Sequence, residues 1–138
     1  MDYKALAEYR NTNNPFAMHT GCTVKEISKG RAVVEHNPEN HSLNPLNAVH
    51  GGLLYTMADI AAGNAACSYG NHAATVNSSF NYLRPALNAE KLIATGVESK
   101  HGKNLMVIEV TIEDQEGVIL CTGTFTYMNL DIPVDTKK

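Results

Sequence analysis

The chain has 138 residues, 43% hydrophobic and 18% charged, with a formal net charge of −3. This length suits one domain that buries roughly two-thirds of its unfolded surface without staples. The mild acidity and lack of a basic patch argue against nucleic acid as a partner, and no run nears the ~20 apolar residues that cross a bilayer.

The first residues lack the basic and then apolar profile of a secretory signal. Cys22, Cys67 and Cys121 are odd in number and show no CxxC spacing, which argues against a disulfide framework or zinc site and favours a reducing cytoplasm. Residues 2–10 read as a short helix capped by Asp2 and ended by the turn formers of residues 11–15. Residues 23–28 and 31–36 read as strands joined by a tight turn at Lys29-Gly30. Residues 37–47 form a polar loop with Pro38 and Pro45, long enough to suggest a functional role.

A long helix begins near His50 or Gly51 and runs to about Ser68, with Tyr69-Gly70-Asn71 as its stop. Leu53, Leu54, Met57, Ile60 and Ala61 make one apolar stripe, and alanines keep the other faces small, the pattern of a helix buried on most sides. Four strands are expected over residues 75–83, 91–98, 104–112 and 118–128, each with period-2 alternation. In the third, Met106, Ile108, Val110 and Ile112 share a face; in the last, Ile119, Cys121, Phe125 and Tyr127 do. The turns His101-Gly102-Lys103 and 114–117 suit antiparallel hairpins, and the polar tail from Asp131 is expected to fray. The order predicts an α+β domain, an antiparallel sheet wrapped around one long central helix. The bare edges and outer face of such a sheet point to a homodimer or homotetramer.

Chemistry concentrates at Asn44-Pro-Leu-Asn-Ala-Val-His50-Gly51-Gly52 and the helix that follows, which carries one acid, Asp59. A helix start presents unpaired N–H groups that can hold a developing negative charge. Glycine at 51 and 52 admits a ligand close to the backbone, although the same glycines would serve a simple tight turn. A buried acid costs free energy unless it is hydrogen-bonded or used, so Asp59 is either a structural acid or a working one. His50 is either an acid–base group or a helix-start residue bonded locally. His50 and Asp59 are nine residues apart, about 180° round the helix and some 13 Å along it. One helix does not easily bring both to one substrate, whereas a two-fold partner does. No HExxH spacing, GxSxG elbow, P-loop or dinucleotide fingerprint is present, and no metal is expected.

The motif Asn44-x5-His50-Gly51-Gly52-x6-Asp59, followed by Tyr82-Leu83-Arg84-Pro85, resembles the hotdog-fold acyl-CoA thioesterases over residues 15–130. The branch is that of the phenylacetate-pathway thioesterase PaaI and human thioesterase superfamily member 2. The resemblance implies the hotdog fold and an acyl-CoA substrate whose CoA is part of the substrate, with no separate cofactor. It implies that the Gly51 N–H polarises the thioester carbonyl and that Asp59 attacks it or activates water. Thr75 would orient that water, Asn44 and His50 would line the thioester side, and Gly52 would bind substrate. Arg84, His101 and Lys103 would meet the CoA phosphates and pantetheine. Asn47 departs from the pattern, standing where relatives often carry Gly. Two rival readings share the fold: an acyl-thioester hydratase or dehydratase, and a non-catalytic acyl-CoA binding module.

Overall fold

The computed structural model describes residues 1–137. Two short helices, α1 (Tyr3–Thr12) and α2 (Pro15–Thr20), lead into β1 (Thr23–Ser28) and β2 (Arg31–His36). A 3-10 turn at Asn40–Ser42 precedes α3 (Gly51–Cys67). Then come β3 (Asn71–Tyr82), β4 (Leu92–His101), β5 (Leu105–Asp114) and β6 (Ile119–Pro133). The strands form one antiparallel sheet in the order β1-β2-β4-β5-β6-β3, and α3 lies against all six. This is the hotdog arrangement.

Small side chains let the helix sit close to the sheet. Ala58, Ala61, Ala62 and Ala65 are fully buried. A Cβ at Gly96 on β4 would lie 3.0 Å from the Ala61 carbonyl group, so backbone meets backbone there. Met57, Ile108, Ile112 and Phe125 fill the remaining space and are fully enclosed. Burying each such side chain is worth about 1.5–3 kcal/mol relative to leaving it exposed.

Several details differ from the sequence reading. The helix expected over residues 2–10 is α1, but it runs on to Thr12, into the expected turn of residues 11–15, and Pro15, the last residue of that turn, instead opens a second helix, α2, over residues 15–20. The cause is local: Asn14 accepts a hydrogen bond from the Ala17 N–H at 3.1 Å and Pro15 takes the first helical position, which suits its fixed φ. The tail does not fray at Asp131. β6 continues to Pro133, opposite Asn71, and the Val134 N–H donates to the Gly70 carbonyl at 2.8 Å. Ile119 is 46% exposed while Leu120 is buried, because the register slips by one residue opposite Ile112/Glu113 and turns the strand over. Val76 and Tyr82 are more than half exposed because β3 is the outermost strand.

Candidate active site

The glycine corner is built by the loop before α3. Asn44 Oδ1 accepts from the Leu46 and Ala48 N–H groups at 2.9 and 3.1 Å, which folds the loop back on itself. Asn47 has φ 59°, the left-handed region that Gly or Asn adopts most readily. The loop is tied down by the His50 N–H, which donates to the Ser42 carbonyl at 2.8 Å. Beneath it, buried His36 bridges the Ser42 hydroxyl and the Gly21 carbonyl at 2.8 and 3.0 Å.

His50 is the N-cap of α3. Its Nδ1 accepts from the Gly52 N–H at 2.8 Å, and its carbonyl accepts from Leu53 and Leu54. One nitrogen is therefore committed to the helix start, which favours the local role. The Gly51 N–H alone of this first turn has no acceptor among the described residues. Its carbonyl accepts from the Tyr82 hydroxyl at 2.8 Å, and a Cβ at Gly51 would lie 3.3 Å from the Tyr82 ring. Asn44, Gly51, Tyr82 and Arg84 line one cavity of about 330 Å³. Gly52 faces away from it, into a neighbouring cavity with His50, His41 and Leu53.

The acid corner lies further along α3. Asp59 is half-buried, and its Oδ1 accepts from two hydroxyls, Thr75 at 3.0 Å and Tyr127 in a short bond. Thr75 on β3 and Tyr127 on β6 are direct cross-strand partners, so the sheet aims both at one oxygen. Tyr127 is 3% exposed. Burial, and then the adjacent Asp59 charge, push its phenol far above the usual range, so it stays a donor. This corner opens on a cavity of about 220 Å³, whose walls include Arg10, Gly63, Asn64, Cys67 and Thr75. Burial raises the Cys67 thiol, partly offset by the charge of Arg10.

Within one protomer the two corners belong to separate cavities. Gly51 and Asp59 are about 12 Å apart along the helix, by the rise of eight residues. The residues implied to meet CoA also divide. Arg84 lies with Gly51. His101 ends β4 in a cross-strand row with Met106, Tyr127 and Thr75, at the acid end of the sheet. There it stacks on Tyr69 with ring centroids 3.8 Å apart, and its Nδ1 is 3.4 Å from Glu98. Lys103 is exposed in the following turn. Among the described residues no group of His, Cys, Asp and Glu is placed to hold a metal ion. Nor is any helix long and apolar enough to cross a membrane.

Tyr127 was legible only as a core strand residue. A signal existed, since a buried Tyr hydroxyl needs a hydrogen-bond partner, but no spacing rule linked it to Asp59.

A sheet wrapped on one helix, opening on a free glycine N–H and carrying a held acid, defines a hotdog-fold domain with groups suited to acyl chemistry. Comparison places it more narrowly: the Thioesterase superfamily matches residues 46–121, a stretch that holds Gly51, Asp59 and Thr75, and the chain belongs to that family. It is 30% identical to the acyl-coenzyme A thioesterase PaaI of Escherichia coli, over 75% of this chain and 74% of that protein. The E. coli PaaI structure superposes with a TM-score of 0.89 at 25% identity, covering 96% of this chain and 97% of that one. A Streptococcus pneumoniae thioesterase protein, solved with coenzyme A, gives a TM-score of 0.77 at 31% identity, covering 82% and 91%. The S. pneumoniae protein has also been solved with a threonine or an aspartate replaced by alanine.

Proposed function

We propose that this enzyme hydrolyses acyl-CoA thioesters to the free acid and CoA, at sites shared between two copies of the chain. Thioester hydrolysis builds negative charge on the carbonyl oxygen. The Gly51 N–H is a fixed donor for that oxygen, and one such donor is worth about 3 kcal/mol in the transition state. Asp59 supplies the opposing group, activating water or attacking directly. Its Oδ1 is taken by Thr75 and Tyr127, which leaves Oδ2 for the reaction. The observation that carries this reading is the pairing of one unused N–H at a helix start with one acid held by two hydroxyls. The threonine and aspartate variants of the S. pneumoniae protein concern the same two residue types as Thr75 and Asp59.

Two-fold symmetry brings the corners together. β3 is an outer strand, running from Asn71 past Thr75 to Tyr82. Antiparallel pairing of two β3 strands sets the Thr75 end of one against the Tyr82 end of the other. The acid corner of each protomer then faces the glycine corner of its partner. A dimer or a dimer of dimers satisfies this. The reaction needs no cofactor beyond the CoA carried by the substrate. The three free cysteines are in keeping with a cytoplasmic setting.

A hydratase of the same fold would use a His as base; Nδ1 of His50 accepts from the Gly52 N–H, so Nε2 of the neutral ring carries the proton and cannot be that base. The test is thiol release from acetyl-, hexanoyl-, benzoyl- and phenylacetyl-CoA. At least one is turned over, and Asp59→Asn lowers kcat by about 10³-fold or more while the protein stays folded. Wild-type turnover in Asp59→Asn rejects the assignment of Asp59.

A further inference from the structure

We infer that Tyr127 is a positioning residue for the reaction: its hydroxyl holds Oδ1 of Asp59 so that Oδ2 is the oxygen presented to water or thioester. The inference rests on the reading of Asp59 as the working acid. A free carboxylate rotates about its last torsion, whose energy surface is broad and roughly two-fold. Two donors on one oxygen remove that freedom. Thr75 supplies one at 3.0 Å and Tyr127 the other. The two donors differ in kind. Thr75 is exposed on the outer strand, whereas Tyr127 is 3% exposed on β6 with its phenol oxygen also 2.8 Å from the Asp59 carbonyl. The Tyr127 bond is thus dry, its one proton shared between the carboxylate and the main-chain carbonyl of the same residue.

The helix makes room for it. At Gly63, one turn beyond Asp59, a Cβ would lie 3.1 Å from the Tyr127 hydroxyl oxygen and 3.3 Å from its ring. Glycine inside a helix costs about 0.5–1 kcal/mol relative to alanine, and here it admits the phenol to the carboxylate. The other charged or titratable groups on this cavity are Arg10 from α1 and Cys67, two turns beyond Asp59 on α3. Neither is hydrogen-bonded to Asp59.

The test is Tyr127→Phe in the full chain, assayed with whichever acyl-CoA of the panel above turns over fastest. Losing the donor lowers kcat by about 10–100-fold and leaves KM within about twofold. Gly63→Ala, which keeps the phenol but crowds it, lowers kcat in the same way by less. A purely structural Tyr127 would lower the thermal midpoint and leave kcat per folded enzyme as in wild type. Wild-type kcat in folded Tyr127→Phe therefore overturns the inference, as does a loss that falls on KM instead. The two readings fail separately. A fully active Asp59→Asn protein sinks the acid itself, while an inactive one beside wild-type kcat in Tyr127→Phe sinks only the role given to Tyr127.

Discussion

Gly51 has two properties that a side chain would disturb, and they can be separated by substitution. Its N–H is unengaged, and its Cα faces the Tyr82 ring at a distance that leaves little room for a Cβ. Gly51→Ala adds the Cβ alone and is the control for proline, which adds it and removes the donor as well. The first helical position tolerates proline, and His50, at φ −58° and ψ 134°, already has the extended conformation that a residue before proline prefers. Gly51→Pro is expected to lower kcat by about 10²–10³-fold, the loss typical of one oxyanion donor, with a helix that still forms. Circular dichroism and a thermal melt check the fold, and thiol release checks the rate. Unchanged kcat would show that the oxyanion is held elsewhere.

At the scale of elements, the position of Asp59 depends on how near α3 lies to the sheet. At Gly96 the sheet meets the backbone of Ala61, two residues past the acid. No side-chain rotation relieves a Cβ placed 3.0 Å from a carbonyl group, so the helix must move. Gly96→Ala is expected to cost about 1–3 kcal/mol, the usual penalty of overpacking, read as a lower denaturant midpoint at unchanged slope. A midpoint equal to wild type would mean that the helix–sheet spacing is slack. Such spacing is invisible in sequence, although much else was plain there. The apolar run with its alanines announced a buried helix, and the alternation in β5 announced its inner face, because both follow from periodicity alone. The bulge that inverts Ile119 and Leu120 did not show, since an extra residue in one strand leaves no mark on its own pattern. Nor did α2, whose Asn-Pro start reads equally as a turn or as a cap followed by the first helical residue. At the site, the loop motif and Asp59 were legible. The Tyr127 bond joins residues 68 positions apart, and only the folded sheet brings them together.

For the molecule as a whole, the separation of the two corners is the decisive fact. Gly51 and Asp59 lie in different cavities of one protomer, on a helix too rigid to bend them together. If the sites are shared, inactivation by Gly51→Pro and by Asp59→Asn is complementary. In a mixed dimer one site combines both lesions, while the other combines the intact glycine of the Asp59→Asn chain with the intact acid of the Gly51→Pro chain. Random reassembly of equal amounts makes about half the dimers mixed, each with one intact site of two, so about a quarter of wild-type activity returns. Sites confined to single chains would return none, because every chain in the mixture lacks one of the groups. The measurement is thiol release after co-refolding the two variants, compared with each variant refolded alone. Activity no greater than the mean of the separate variants would dismiss the shared site and leave the pairing of β3 edges without a catalytic purpose.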